Sequence, residues 1–237
     1  MHSAIVPDGD VVSDTRPVRS ATDKVTEAIT QGIRSGAFVP GQHLLEPDLT
    51  QRLGISRGSL REALKHLAAA GIVTLNRFRG AYISTLDRQS VLDLFQVLEP
   101  LARLAAKLAA ANCDSEDERT RLLAAASSIE RAGKVRDRGE YFEQRRRFYD
   151  TMIAISGNAE LARVMPLSRT ELFRAQIETV QSDAQRRRHS RGYSKIAKAI
   201  VAQNPTAADR ATHRHFSGTL ETIDALPAQA FGMSESV

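Results

Sequence analysis

The chain has 237 residues, 42% of them hydrophobic and 26% charged, with a formal net charge of +5 and a sequence pI near 9.6. That length and apolar content support one large or two modest domains with a real core, so no covalent staple is needed. The single cysteine, Cys113, excludes an intramolecular disulfide framework and any multi-cysteine zinc site, which fits a reducing, cytoplasmic location.

No apolar run reaches membrane-spanning length, and residues 1–19, mixed and turn-rich, read as a flexible extension. A first helix is expected over 23–35, capped by Ser20 or Thr22, with Val25, Ile29 and Ile33 on one face and Gly36 as its stop. After the Pro40-Gly41 turn, a short helix over 46–53 accepts Pro47 in its first turn and ends at Gly54. Ser56 caps the next, in which Leu60, Ala63, Leu64 and Leu67 recur at helical steps up to Gly71. The β-type runs GIVTL and AYIST flank NRFRG and predict a hairpin. Three helices and a hairpin over 20–86 make a winged helix-turn-helix.

Charge concentrates there. Between Gln51 and Gly80 six cations (Arg52, Arg57, Arg61, Lys65, Arg77, Arg79) face one anion, Glu62. The Gly54-Ile55 turn leaves Ser56, Arg57, Gly58, Ser59 and Arg61 on the N-terminal part of a recognition helix. Arginine there suits bidentate contact with guanine or phosphate, serine suits phosphate, and the helix N-terminus favours an anion. Gly58 leaves room for close approach. At the hairpin tip Arg77 and Arg79, beside Gly80, can reach an adjacent minor groove or the backbone. By charge alone, the same arginines could be the solvated face of a protein-docking module.

From Arg88 onward the pattern is helical only, with helices expected over 89–111, 115–132, 136–155, 159–179, 183–203 and 206–226. The fold class is therefore mainly α: a winged helix-turn-helix followed by an all-helical bundle over 87–227, then a flexible tail over 228–237. The Leu/Ala-rich faces of the first two bundle helices read as core, with a dimer seam as the second reading. The basic run QRRRHSRG, Gln185 to Gly192, reads as a solvated face. Arg145 is the exception to ordinary surface charge. It falls on the stripe of Tyr141, Phe148, Met152 and Ile155, with Tyr149 one turn on, so helical geometry turns a cation inward. An internal pair with a core carboxylate such as Glu99 would satisfy it.

The stretch PGQHLLEPDLTQRLGISRGSLREALKHLAAAGIV, followed by RGAYI, resembles the DNA-binding domain of GntR-family transcription regulators over nearly all of residues 22–85. The resemblance implies DNA contacts from Arg57, Ser59 and Arg61, with Gly80 at the wing tip. Pro47 stands where some relatives keep a DNA-touching arginine. The segments VLEPLARLAAKLAA, RRFYDTMIAISGN and YSKIAKAIVAQNPTAADRATHRHF are similar to the ligand-binding domain of the FadR subfamily, many members of which bind a metal through an Asp and three His. Laid on this chain, that pattern falls on Arg145, Tyr149, Tyr193 and His215, so one ligand type survives. A guanidinium cannot ligate a cation, and no metal cofactor is expected. The same side chains, with Arg174 on the following helix as a further wall, suit an organic carboxylate or phosphate.

The resemblance thus implies a homodimeric regulator, a repressor in the simplest case, that binds a palindromic operator in double-stranded DNA and responds to a small effector. The alternative is a constitutive repressor without an effector site. No nucleophile–base set, phosphate loop or metal cluster suggests an enzyme.

Overall fold

The computed structural model describes residues 20–232, so the expected extension over 1–19 and the end of the expected tail, 233–237, lie outside the described residues. α1 (Ala21–Ser35) starts at Ser20, the first of the two proposed caps. Its hydroxyl accepts from the Asp23 N–H at 3.0 Å, and the Asp23 carboxylate accepts from the Ser20 N–H at 3.2 Å. Val25, Ile29 and Ile33 are buried, and Gly36 ends the helix at φ 86°, a conformation glycine adopts without penalty. α2 (Glu46–Leu53) and α3 (Arg57–Ala69) follow, and α3 buries Leu60, Ala63, Leu64 and Leu67. Each of those leucines contributes about 1.5–3 kcal/mol on leaving water.

The hairpin forms from β2 (Val73–Asn76) and β3 (Gly80–Ile83), with Val73 opposite Ile83 and Asn76 opposite Gly80. A two-residue strand, β1 (His43–Leu44), adds to β3 and completes an antiparallel sheet in the order β1-β3-β2. Two residues are too short to show an alternating pattern, so this strand is invisible in the sequence.

The remainder is a bundle of α4 (Arg88–Asn112), α5 (Glu116–Val135), α6 (Arg138–Ser156), α7 (Ala159–Val164), α8 (Leu167–Ile177), α9 (Asp183–Val201) and α10 (Pro205–Asp224). The single helix expected over 159–179 is two helices. Pro166 has no N–H to donate and pushes Met165 to an extended φ,ψ of −70°, 118°, so α7 stops and α8 restarts at an angle. α4 packs on α6 and α10, while α5 and α10 both pack on α9.

The expected tail over 228–237 also needs correction at its start. Residues 228–230 form a 3-10 turn, Ala230 is buried, and the Gly232 N–H donates to the Leu86 carbonyl at 2.9 Å. The Gln176 side chain holds this junction. It accepts from the Leu86 N–H and donates to the carbonyls of Leu86 and Ala230, all within 2.9 Å. The linker between the two domains is therefore bonded to α8.

Candidate functional site

Two groups of arginines stand out, one exposed on the winged helix and one buried in the bundle. On the winged helix, Gly54 takes φ 61° and ends α2, and the Ile55 N–H donates back to the Thr50 carbonyl at 3.2 Å. This turn lets α3 cross α2 and present its first turn to solvent. Ser56 accepts from the Ser59 N–H at 3.1 Å, and the two serine hydroxyls are 3.0 Å apart, so both are engaged in the cap. Arg57 and Gly58 are exposed and Ser59 is half-buried. Arg57 makes no hydrogen bond or ion pair among the described residues. Arg61 is exposed but not free, because its Nε lies 3.3 Å from Glu46 Oε2. Arg77, Arg79 and Gly80 are exposed at the hairpin tip. Gly80 has φ 84°, and a Cβ there would stand 2.9 Å from His43 Nε2, so no side chain fits between the tip and β1. The surface thus offers exposed cations, backbone N–H groups and a helix N-terminus to a polyanion.

In the bundle, Arg145 is 2% and Arg174 6% exposed. Arg145 donates from Nε to the Tyr193 hydroxyl at 3.0 Å and from Nη2 to Thr170 Oγ1 at 2.9 Å, and its guanidinium lies 5.0 Å from the Tyr149 ring centre. Nη1 is buried with no partner. Arg174 Nη2 lies 3.3 Å from His189 Nδ1 and 3.4 Å from Thr219 Oγ1, and its Nε is also buried without a partner. The pair with Glu99 does not form. Glu99 instead lies 2.7 Å from His213 Nδ1 and 3.7 Å from Arg103, near the surface. Glu171, buried beside α6, bonds Arg146 at 2.9 Å.

Arg145, Tyr149, Arg174, Tyr193 and His215 meet around one small cavity, joined by His189. Its volume is about 10 Å³, room for about one water. The His189 and His215 rings are 4.4 Å apart, and Tyr193 lies 4.7 Å from His215. Burial, then the guanidiniums of Arg174 and Arg145, pushes His215 down to about 3. Burial and Arg174 likewise hold His189 well below its ordinary value. Burial also lowers Arg174 and raises Tyr149. At neutral pH the lining therefore carries two cations, neutral imidazoles and the neutral Tyr149 phenol, with no carboxylate. Among the described residues no three His, Cys, Asp or Glu side chains form a group that could hold a metal ion.

His189 is the residue that sequence reading missed, because it sits inside the basic run taken as a solvated face. That run is split: Arg187 and Arg191 are exposed, whereas His189 and Ser190 are buried. One signal was available, since His189 precedes Tyr193 by one turn and so shares its face. Close helix packing also has a visible cause. A Cβ at Gly192 would collide with the His215 ring, so only glycine lets α9 approach α10 here.

A second pocket, of about 40 Å³, touches the other side of Arg174 and is lined by Tyr141, Arg186, Glu178 and Arg138. Arg138 spans the domains. It donates to the carbonyls of Arg34 at 3.1 Å and Ile33 at 2.6 Å, the last turn of α1, and pairs with Glu178 at 2.6 Å. A surface groove of about 320 Å³ between α9 and α10 reaches the cavity from the opposite side at His189 and His215.

A winged helix-turn-helix with an exposed basic helix, joined to a helical bundle with a polar heart, defines the class of a DNA-binding regulator with a second, all-helical domain. Residues 21–83 match the family described as bacterial regulatory proteins, gntR family, and residues 93–218 match the FCD domain; the chain belongs to this GntR family. Its members are DNA-binding transcription regulators, not enzymes; they bind operators, and FCD domains bind small-molecule effectors. Similar curated proteins include the uncharacterized HTH-type transcriptional regulator YdhC of Bacillus subtilis (strain 168), 23% identical over 81% of this chain and 85% of that one. The probable D-xylose utilization operon transcriptional repressor of Paenarthrobacter nicotinovorans is 22% identical over 89% and 92%. Among solved structures, E. coli McbR/YncC superposes with a TM-score of 0.76 at 17% identity, covering 87% of this chain and 98% of that one. The latter likeness concerns the fold. No helix among the described residues is long and apolar enough to cross a membrane.

Proposed function

We propose that this regulator is a homodimeric repressor, acting in the cytoplasm on a palindromic operator, whose DNA affinity is set by a small organic anion held without a metal at Arg145 and Arg174. The observation that carries the reading is the pair of buried guanidiniums, each with an N–H that has no partner. Leaving such a donor unpaired in a dry interior costs about 1–3 kcal/mol, more for a charged group, so a carboxylate or phosphate that accepts from both is strongly favoured. A metal ion does not suit this donor set. It would stand among two cations with no carboxylate, and the positions that the resemblance gives to an Asp and two of the three His hold Arg145, Tyr149 and Tyr193.

A one-water cavity is far smaller than the roughly 300–1,000 Å³ that ligand sites offer. Binding therefore requires the cavity to open, either into the Arg174 pocket or into the α9–α10 groove. Opening past Arg174 disturbs the wall shared with Arg138, and Arg138 grips α1, which packs on the recognition helix α3. The ligand then shifts operator affinity by preferring one arrangement of the two domains. Exposed Val97 and Leu104 on α4 supply an apolar strip for the homodimer.

The small cavity also favours a second reading, a constitutive repressor in which the tyrosines simply fill a lost site. A thermal-shift screen of carboxylates and sugar phosphates, with D-xylose as the neutral control suggested by the Paenarthrobacter relative's name, separates the two. The effector reading expects at least one anion to raise the melting temperature and to change operator affinity in a gel shift. Anions that all fail, or a neutral sugar that alone succeeds, would overturn it.

A further inference from the structure

The turn between β2 and β3 carries Arg77, Phe78 and Arg79, and Phe78 is 90% exposed, more than any other large hydrophobic side chain among the described residues. A phenylalanine gains about 2 kcal/mol or more by burial, so one left this open contributes almost nothing to the fold. Single exposed apolar residues are common, but this one is held in place. The Asn76 side-chain oxygen accepts from the N–H of Phe78 at 3.1 Å and of Arg79 at 3.2 Å, and the Asn76 carbonyl accepts from Arg79 N–H at 3.3 Å. Behind the tip, Gly80 closes on His43, which stacks on Tyr82 at 4.7 Å. The ring is thus projected from a braced turn rather than a loose one.

Its neighbours indicate the surface it meets. Arg77 and Arg79 flank it, both exposed; among the described residues neither guanidinium has a hydrogen bond or ion pair, and that of Arg77 lies 5.8 Å from the Phe78 ring centre. A protein-docking tip flanked by two free cations would favour an acidic partner, and this chain's established partner is the polyanion DNA. The minor groove concentrates negative potential, which draws arginines, and it admits apolar wedges that part a base step and bend the duplex.

We propose that Phe78 is a minor-groove wedge. With recognition helix α3 in the major groove, the wing enters the adjacent minor groove, the arginines engage phosphates on either side, and the phenyl ring presses into one base step. The step it selects is pyrimidine–purine (TA or CA/TG), because those unstack at least cost. Phe78 therefore adds sequence preference outside the half-site that Arg57 and Arg61 read, without any hydrogen bond to a base.

The test works without a known operator. Full-length wild-type and Phe78→Ala proteins each select bound duplexes from a random-sequence DNA pool at fixed salt. Both should enrich the same core half-sites, whereas only the wild type should enrich a pyrimidine–purine step at a fixed offset from the core. On the wild-type consensus the variant should bind about tenfold more weakly, the scale of one unstacked step. 2-Aminopurine placed at that step should brighten with wild type and not with the variant, and Phe78→Leu should keep most of the signal. Because Phe78 packs on nothing in the core, these variants leave the fold intact, which circular dichroism and melting verify. Identical flanking sequences and identical 2-aminopurine signals for wild type and Phe78→Ala would overturn the proposal, as would loss of the core half-site in the variant.

Discussion

Arg57 and Arg145 are the same residue type in opposite surroundings. Arg57 stands exposed at the start of α3, with no partner among the described residues, whereas Arg145 is 2% exposed and bonded to Tyr193 and Thr170. An exposed guanidinium costs the fold little and becomes valuable only when a phosphate or guanine arrives. A buried one keeps a desolvation cost at all times, and two within one cavity add repulsion. On the proposed reading, exposure leaves Arg57 available to a large polyanion that comes to the surface, while burial without a carboxylate leaves Arg145 available to a small anion brought inside.

The largest effect expected from breaking this contrast is on the exposed side. Arg57→Ala and Arg61→Ala should each weaken operator binding by about 1–3 kcal/mol, and so roughly tenfold or more, measured by gel shift at fixed salt. The melting temperature should hardly move for Arg57→Ala. Arg61→Ala also loses its surface pair with Glu46, which contributes less than about 1 kcal/mol. A large loss of stability in either variant would place these arginines on the wrong side of the comparison.

The buried side should behave inversely. Arg145→Met leaves its partners satisfied, because Thr170 still donates to the Leu167 carbonyl at 2.7 Å and the Tyr193 hydroxyl stays 3.3 Å from His189 Nε2. Replacing an uncompensated buried cation by an apolar side chain of similar length should be neutral or stabilising by about 1–2 kcal/mol in urea unfolding, while abolishing any anion-induced shift. Unfolding of this variant would instead make the guanidinium a structural member of the core.

The smallest effect is read in acid. His215 falls to about 3 in the folded protein against about 6.5 when unfolded, so on acidification the unfolded chain takes up its proton first. Its contribution is fully present above pH 6.5 and is lost as pH falls toward 3, with a slope of up to about 1.4 kcal/mol per pH unit. His189, also lowered, acts in the same direction. His215→Gln should flatten the pH dependence of stability over this window relative to wild type; an unchanged slope would mean that His215 titrates normally.

Some of this was legible in the sequence and some was not, for identifiable reasons. The winged helix could be read residue by residue because its determinants are local: the Ser20 and Ser56 caps, the Gly36 and Gly54 stops, and the period of Leu60, Ala63, Leu64 and Leu67. Helical period likewise placed Arg145 inward. The break at Pro166 has a local cause visible in the sequence, because proline lacks an N–H and disfavours helix at the residue before it. His189 hid among four arginines, two of which, Arg186 and Arg188, turn out to pair with Asp183 and Glu221. The bound start of the tail, held by Gln176, left no local trace at all.

By itself, then, the sequence determined the fold class, the exposed basic start of α3 and the inward turn of Arg145, because caps, stops and period act over one or two helical turns. Only the tertiary structure decided that Arg145 lacks Glu99, that Arg174 and His189 join it around a very small cavity, and that Arg138 ties the bundle to α1. These depend on which helices pack together at close range. Partners 25 to 105 residues apart along the chain meet only once that packing is set.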